Sequence, residues 1–130
     1  MLALLCLLTA YAAASVRIGA DVRAITTKAM QLHHEDPVEA LLAFVEDPDQ
    51  SLPERDRAVW ALGQLGDSRA LPVLREYHTG KPCDHANTLC QREIEKAINL
   101  ASGGVNVTAL VWRRDFFCNE NYPTSNNGRL

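Results

Sequence analysis

The chain has 130 residues, enough for one domain with a modest core. Its 13 Lys and Arg against 16 Asp and Glu give a formal charge of −3. That balance offers no basic face and excludes a general nucleic-acid-binding role. Only 6% of the residues are aromatic, and Ala and Leu dominate, which favours helices over sheets.

The amino-terminal stretch "MLALLCLLTAYAAAS" carries no charged side chain before Arg17. Residues 1–16 are short for a bilayer span, which takes about 20. They read better as the apolar core of a signal peptide, with Ala10-Tyr11-Ala12 or Ala12-Ala13-Ala14 as small-residue cleavage positions. The basic stretch that usually opens such a peptide is missing. Export is the first expectation, an uncleaved membrane anchor the second and a buried first helix the third. The location is therefore periplasmic, otherwise extracytoplasmic, or membrane-anchored. Cys6 follows the bulky Leu5, which speaks against acylation at that thiol.

Beyond Gly19, Val22, Ile25, Ala29 and Leu32 recur at intervals of three and four, so Ala20 to Leu32 is expected to be an amphipathic helix. "HHEDP" interrupts it. Asp36 is a good N-cap and Pro37 suits the first helical position, where its missing N–H is not needed. A second helix, Pro37 to Val45, then carries Ala40, Leu41 and Phe44 on one face. "DPDQSLP" closes this pair. The pattern restarts with Ala58, Ala61, Leu62 and Leu65, after which Gly66 can take the left-handed conformation that ends a helix. Asp67 or Ser68 can cap the next helix, whose stripe is Ala70, Val73, Leu74 and Tyr77; Pro72 sits near its first turn. After "HTGKP" and a longer connection, "CQREIEKAINLASGG" supplies a third helix with Ile94, Ala97, Ile98 and Ala101 inward, stopped by Gly103 and Gly104.

The two pairs superpose at an offset of 30 residues, with Met30 on Trp60, Leu32 on Leu62, Ala40 on Ala70, Leu41 on Leu71 and Phe44 on Leu74. The third helix continues the series after a step lengthened by the loop "GKPCDHANTL". Such a period with two helices per unit marks an α-solenoid, in which each unit's apolar face is covered by its neighbours. The fold class is all-α: a short α-α superhelix of about two and a half two-helix repeats with a C-terminal cap. The segment "VNVTALVWRRDFFC" supplies that cap, as a helix starting at Asn106 or Thr108 with Val107, Leu110 and Val111 packed on the third helix, or as an extended stretch. "NVT" matches a glycosylation sequon. The domain boundaries are thus 1–16 for the apolar leader or anchor, 17–118 for the repeats and 119–130 for a polar tail expected to be disordered.

"RAVWALGQLGDSRALPVL" resembles a HEAT repeat of the short bacterial kind, as also found in phycobiliprotein lyases. The helix end and turn "AxxALGxLGD" and the following "RAxPxL" carry the resemblance, which is strong over residues 54–78, weaker over 20–47 and partial over 89–101. It implies a HEAT-like solenoid acting as a scaffold or binding surface. The lyase activity belongs to a subset of such proteins and does not follow from the repeat.

Cys83 and Cys90 bracket "DHANTL" and, in an exported chain, most naturally form a local disulfide. Closing so short a loop contributes about 2–2.5 kcal/mol before strain. The alternative is a small metal-binding module, because His78, Cys83, Asp84, His85 and Cys90 crowd into 13 residues and zinc accepts two thiolates and two imidazoles. Its ligands would be His78, Cys83, His85 and Cys90. Cys118 is left unpaired or tied to one of these thiols. "HHED", His33 to Asp36, reads first as a solvated turn and second as part of a ligand surface. The chain has neither a GxSxG elbow nor a glycine-rich phosphate loop that opens a helix. Glu54, Asp56, Glu93 and Glu95 read as exposed helix faces, and Trp60 is assigned to a groove between repeats or to the core. The expected function is therefore a non-catalytic scaffold, exported or membrane-tethered, that binds another protein and needs no cofactor. Glu39, Arg69, Arg75 and Glu76 on the second helices and turns, with Trp112 and Arg113 beyond them, are the candidate contacts. The stretch Val111 to Phe117 could also lie at a membrane interface. A phycobiliprotein-lyase-like enzyme or accessory is the catalytic alternative.

Overall fold

The computed structural model describes residues 1–117, apart from the side chains of residues 114, 115 and 117. Cys118 and the expected tail over 119–130 lie outside the described residues. Within them the chain forms helices α1 (Leu2–His33), α2 (Pro37–Glu46), α3 (Leu52–Leu65), α4 (Leu71–Tyr77), α5 (Gln91–Ala101) and α6 (Ala109–Phe117), with a 3-10 turn over Ser68–Ala70 ahead of α4. No strand occurs among the described residues.

The first helix is longer than its apolar stripe implies. Ala and Leu are strong helix formers, and nothing before Gly19 breaks the run, so the apolar first stretch continues unbroken into the amphipathic helix. Burial starts only at Ser15 and continues through Gly19, Val22, Ile25, Thr26 and Ala29. The first fourteen residues are exposed, which overturns the reading of a fully buried first helix. The two buried hydroxyls are satisfied within the helix: Ser15 Oγ donates to Tyr11 O at 2.8 Å and Thr26 Oγ1 to Val22 O at 2.7 Å.

The turn that closes each first helix is the same physical event in both repeats. α3 ends at Gly66 with φ 66°, its N–H donating to Leu62 O at 3.0 Å; α1 ends at His34 with φ 54°, its N–H donating to Met30 O at 2.8 Å. A histidine therefore takes the left-handed position where the second repeat uses glycine, at some steric cost. An aspartate then starts the next helical turn in each repeat: Asp36 Oδ1 accepts from Val38 N at 3.0 Å, and Asp67 Oδ1 from Arg69 N at 2.9 Å.

Ala40 and Ala70 are both 0% exposed, as are Phe44 and Leu74, so the repeat registers where the second helices face the core. Leu32 departs from it, being 49% exposed where Leu62 is 1%. Among the described helices none covers that side of the α1 end, whereas α3 is flanked by both α2 and α5. Gly63 lets α3 and α5 approach closely: a Cβ there would sit 2.8 Å from Ala97 Cα.

The C-terminal cap is a helix, but it faces the other way from the expected one. Val107, Leu110 and Val111 are 54%, 74% and 39% exposed, whereas Ala109, Trp112 and Phe116 are buried, and α6 packs chiefly on α1 rather than α5. Trp112 and Phe116, four residues apart, bring far more apolar area than Leu110 and Val111. They meet edge to face at 5.8 Å. α1 offers the notch that receives the indole, since a Cβ on Gly19 would lie 2.6 Å from Trp112 Cβ. Asn106 starts α6 as expected, its Oδ1 accepting from Ala109 N at 3.3 Å, while its Nδ2 donates to Gln64 Oε1 at 2.9 Å. The sequon's amide is thus engaged with α3.

Replacing Gly63 by Val is expected to destabilise the domain by about 1–3 kcal/mol, because Ala97 lies on a helix backbone that cannot yield without shifting α5. Urea unfolding followed by circular dichroism checks this; an unchanged midpoint contradicts the close approach.

Candidate binding surfaces

Three polar constellations lie on this frame. The first is the loop between α4 and α5. Cys83 Sγ and Cys90 Sγ stand 3.1 Å apart, so the structure brings together the pair expected to form a disulfide. His85 joins them: one ligand atom from each of Cys83, His85 and Cys90 lies within 4.8 Å of the others. His78, the fourth candidate, is outside this group. Two groups that read as ordinary polar residues in the sequence hold the loop. Asp56 Oδ1 on α3 accepts from Cys90 N at 2.7 Å, and burial pushes the Asp56 carboxyl up. Gln91, 6% exposed, accepts from Thr79 N at 2.7 Å and donates to Tyr77 O and Leu89 O, clamping both ends of the loop. Nothing local in the sequence marks Asp56 for this role, because its partner is 34 residues away.

The two thiols differ in character. The backbone N–H of Arg92, 3.4 Å from Cys83 Sγ, and the Cys90 side chain hold the Cys83 thiol below its ordinary range. Burial, with the neighbouring sulfur, pushes the Cys90 thiol up.

The second constellation joins the two repeat turns. Arg69 reaches Asp36 Oδ2 at 3.0 Å, Glu39 Oε1 at 3.5 Å and Asp67 Oδ2 at 3.0 Å. Burial pushes the Asp67 carboxyl up, but the hydrogen bonds and charge of Arg69 outweigh it and leave it below the usual carboxylate range. Glu39 and Arg69, expected as outward contacts, are therefore engaged with the turns themselves. Arg75 and Glu76 on α4 are exposed. In "HHED", His33 lies 3.8 Å from Asp47 Oδ2 and edge-on to Phe44, His34 ends α1, and Asp36 caps α2, so these side chains serve different partners.

The third is a groove of about 500 Å³ between α3 and α5, lined by Asp56, Arg57, Trp60, Gly63, Gln64, Glu93, Lys96, Ala97 and Leu100. Trp60 is half-buried there, as its position off the Ala58/Leu62 stripe implies. Small residues make the floor and long charged ones the rim. Trp112, expected as a surface anchor, is 4% exposed, and Arg113 is half-buried with its guanidinium donating to Gln64 O. Trp112 escaped the sequence reading because the Gly19 notch that takes it lies 93 residues away.

Because the Asp67 pKa is lowered on folding, the bridge to Arg69 contributes fully above about pH 4 and is lost as pH falls through the folded value. The difference in unfolding free energy between wild type and Arg69→Met, from urea titrations at each pH, should therefore be small at neutral pH, about 0.5–1 kcal/mol at most for so exposed a pair, and close in acid. A gap that widens on acidification contradicts the network. In the reduced protein, iodoacetamide should modify Cys83 at lower pH than Cys90, as read by peptide mass spectrometry; the reverse order contradicts the assigned thiol environments.

Comparison with known proteins agrees with the repeat geometry. The family model for HEAT repeats matches residues 7–84, which takes in most of α1, all of α2, α3 and α4, and the beginning of the cysteine loop. No curated protein and no solved structure matches the chain. With two helix pairs closed by equivalent turns, and with the family model covering more than half of its length, the chain belongs to the HEAT-repeat family.

Proposed function

We propose that this HEAT-repeat chain is a non-catalytic protein-binding scaffold, tethered to a membrane by the apolar first part of α1, and that it receives a segment of its partner in the groove between α3 and α5. HEAT repeats are generally used for protein interaction. The observation that carries the finer reading is the groove itself. Half-buried Trp60 lies between an apolar floor of Gly63, Ala97 and Leu100 and a rim of Arg57, Asp56, Glu93 and Lys96. An aromatic anchor ringed by polar groups of both signs is the usual make-up of a binding hot spot. The rim carboxylates are already engaged, Asp56 with Cys90 N and Glu93 with Lys96 Nζ at 2.8 Å.

The tether is supported by two apolar surfaces lying side by side. Leu2, Leu4, Leu5, Leu7 and Leu8 are 56–79% exposed on α1, and an 18-residue window of that helix has a mean hydropathy of 1.8. Tyr11 Oη donates to Val107 O at 2.6 Å, which draws the exposed Val107 and the start of α6 to the edge of this apolar stretch. Leucines on one element and Val107 and Leu110 on the other can therefore meet an apolar phase together.

Chemical cross-linking in membranes, followed by affinity capture, tests the groove. One protein should be recovered in stoichiometric amount by wild type and by the Arg75→Ala/Glu76→Ala double variant, and lost more than about tenfold with Trp60→Ala. Loss with the α4 variant alone moves the binding face to the second helices. Capture that neither variant affects overturns the proposal.

A further inference from the structure

We infer that Cys83, His85 and Cys90 form a binding site for one zinc ion, or another divalent ion of similar thiolate affinity, with the fourth position open to water. The juxtaposition is the starting point. Tetrahedral zinc with S and N ligands at about 2.3 and 2.0–2.1 Å sets two sulfurs about 3.8 Å apart and a sulfur and a nitrogen about 3.5 Å apart. Here the sulfurs are 3.1 Å apart and all three ligand atoms fall within 4.8 Å of one another, so shifts on the order of 1 Å complete the arrangement.

A disulfide accounts for the two cysteines but gives no role to the imidazole beside them, and the loop is built to bring that imidazole back. Asp84 Oδ1 accepts from Ala86 N at 3.2 Å, Asp84 O accepts from Thr88 N at 2.9 Å, and Asp84 Oδ2 accepts from Asn87 Nδ2 at 2.8 Å. These bonds fold residues 84–88 into a turn that keeps His85 beside the two cysteines, one of its ring nitrogens within 4.8 Å of both sulfurs. The surroundings suit bound thiolates. The Arg92 N–H points at Cys83 Sγ, Asp56 fixes the Cys90 backbone, and Gln91 fastens the loop at both ends. Outer contacts of this kind orient metal ligands and tune them. Binding displaces one proton from each thiol, so two thiolates neutralise the dication. Cys83 and His85 lie toward solvent while Cys90 is buried, which leaves the remaining corner of the tetrahedron on the open side.

The site belongs to the half-repeat that starts at α5. Metal would secure the long connection that separates this helix from the regular pairs. It would do so without covering the groove, because none of the three ligands lines it.

The test uses the full chain in detergent micelles, reduced and then offered zinc or cobalt(II). The expected result is one ion per chain and, for cobalt, the thiolate charge-transfer band and intense visible bands of a tetrahedral site. His85 is exposed, so His85→Ala should fold normally, and it should weaken zinc binding by more than about tenfold. Cys83→Ser should remove most of the charge-transfer band. Three results overturn the inference: reduced protein that takes up no ion, zinc held as tightly by His85→Ala as by wild type, or binding unchanged in Cys83→Ser, which would assign the metal to other cysteines. A disulfide-linked peptide joining Cys83 to Cys90 before reduction, together with no metal uptake after it, identifies the pair as a disulfide instead.

Discussion

The close packing of α3 is the constraint on which the remaining structure depends. This helix touches α1, α2, α5 and α6, and it can do so because its inward positions are small: Ala58, Ala61 and Gly63 are all buried. Gly63 meets the backbone of α5 at Ala97, and Leu62 and Leu65 fill the space on either side. Each constellation with chemistry in it hangs from the same helix. Asp56 holds the cysteine loop, Trp60 and Gly63 form the groove, Gln64 receives α6 through both its side chain and its carbonyl, and Gly66 ends the helix so that Asp67 can open the next. The glycines and charges of "LGQLGDSR" are therefore explained by packing and chain reversal.

The two ends of the stack are solved differently. α5 separates an apolar stripe of Ile94, Ala97 and Ala101 from exposed Arg92, Glu95, Lys96 and Asn99, which lets it end a solenoid in water. The α1 side is covered by α6, which returns across the domain and fills the Gly19 notch with Trp112. Lys28 on α1 pairs with Glu54 at the start of α3 and lies 5.5 Å from the ring centre of Phe44, adding a polar tie where the first and second repeats join. These arrangements leave the apolar start of α1 uncovered but continuous with the packed part of the same helix.

Much of the fold was legible in the sequence because it rests on local rules. The stripes at three- and four-residue spacing, Asp36 and Asp67 as caps, the prolines at helix starts and Gly66 as a stop all act within a few residues of themselves. What was not legible depends on distant partners. The direction in which α6 faces is decided by Gly19, the burial of Gln91 by Tyr77 and Thr79, and the position of Cys90 by Asp56; none of these pairings leaves a periodic trace. The candidate sites divide along the same line. The Cys83–Cys90 proximity follows from a short loop and could be anticipated. The choice of His85 over His78 required the turn that Asp84 builds, and the groove around Trp60 required the α3–α5 crossing.

On this view α3 couples both repeats, the cysteine loop and the returning α6 into one cooperative unit. Native-state hydrogen exchange on the full chain measures that coupling directly. The amides of residues 58–65 should be the slowest in the protein and exchange only through global unfolding, with those of α2 and α5 sharing the same opening free energy. If α3 exchanges faster than α2 or α5, or if α1 and α2 stay protected after α3 has opened, the repeats stand independently and α3 does not couple them.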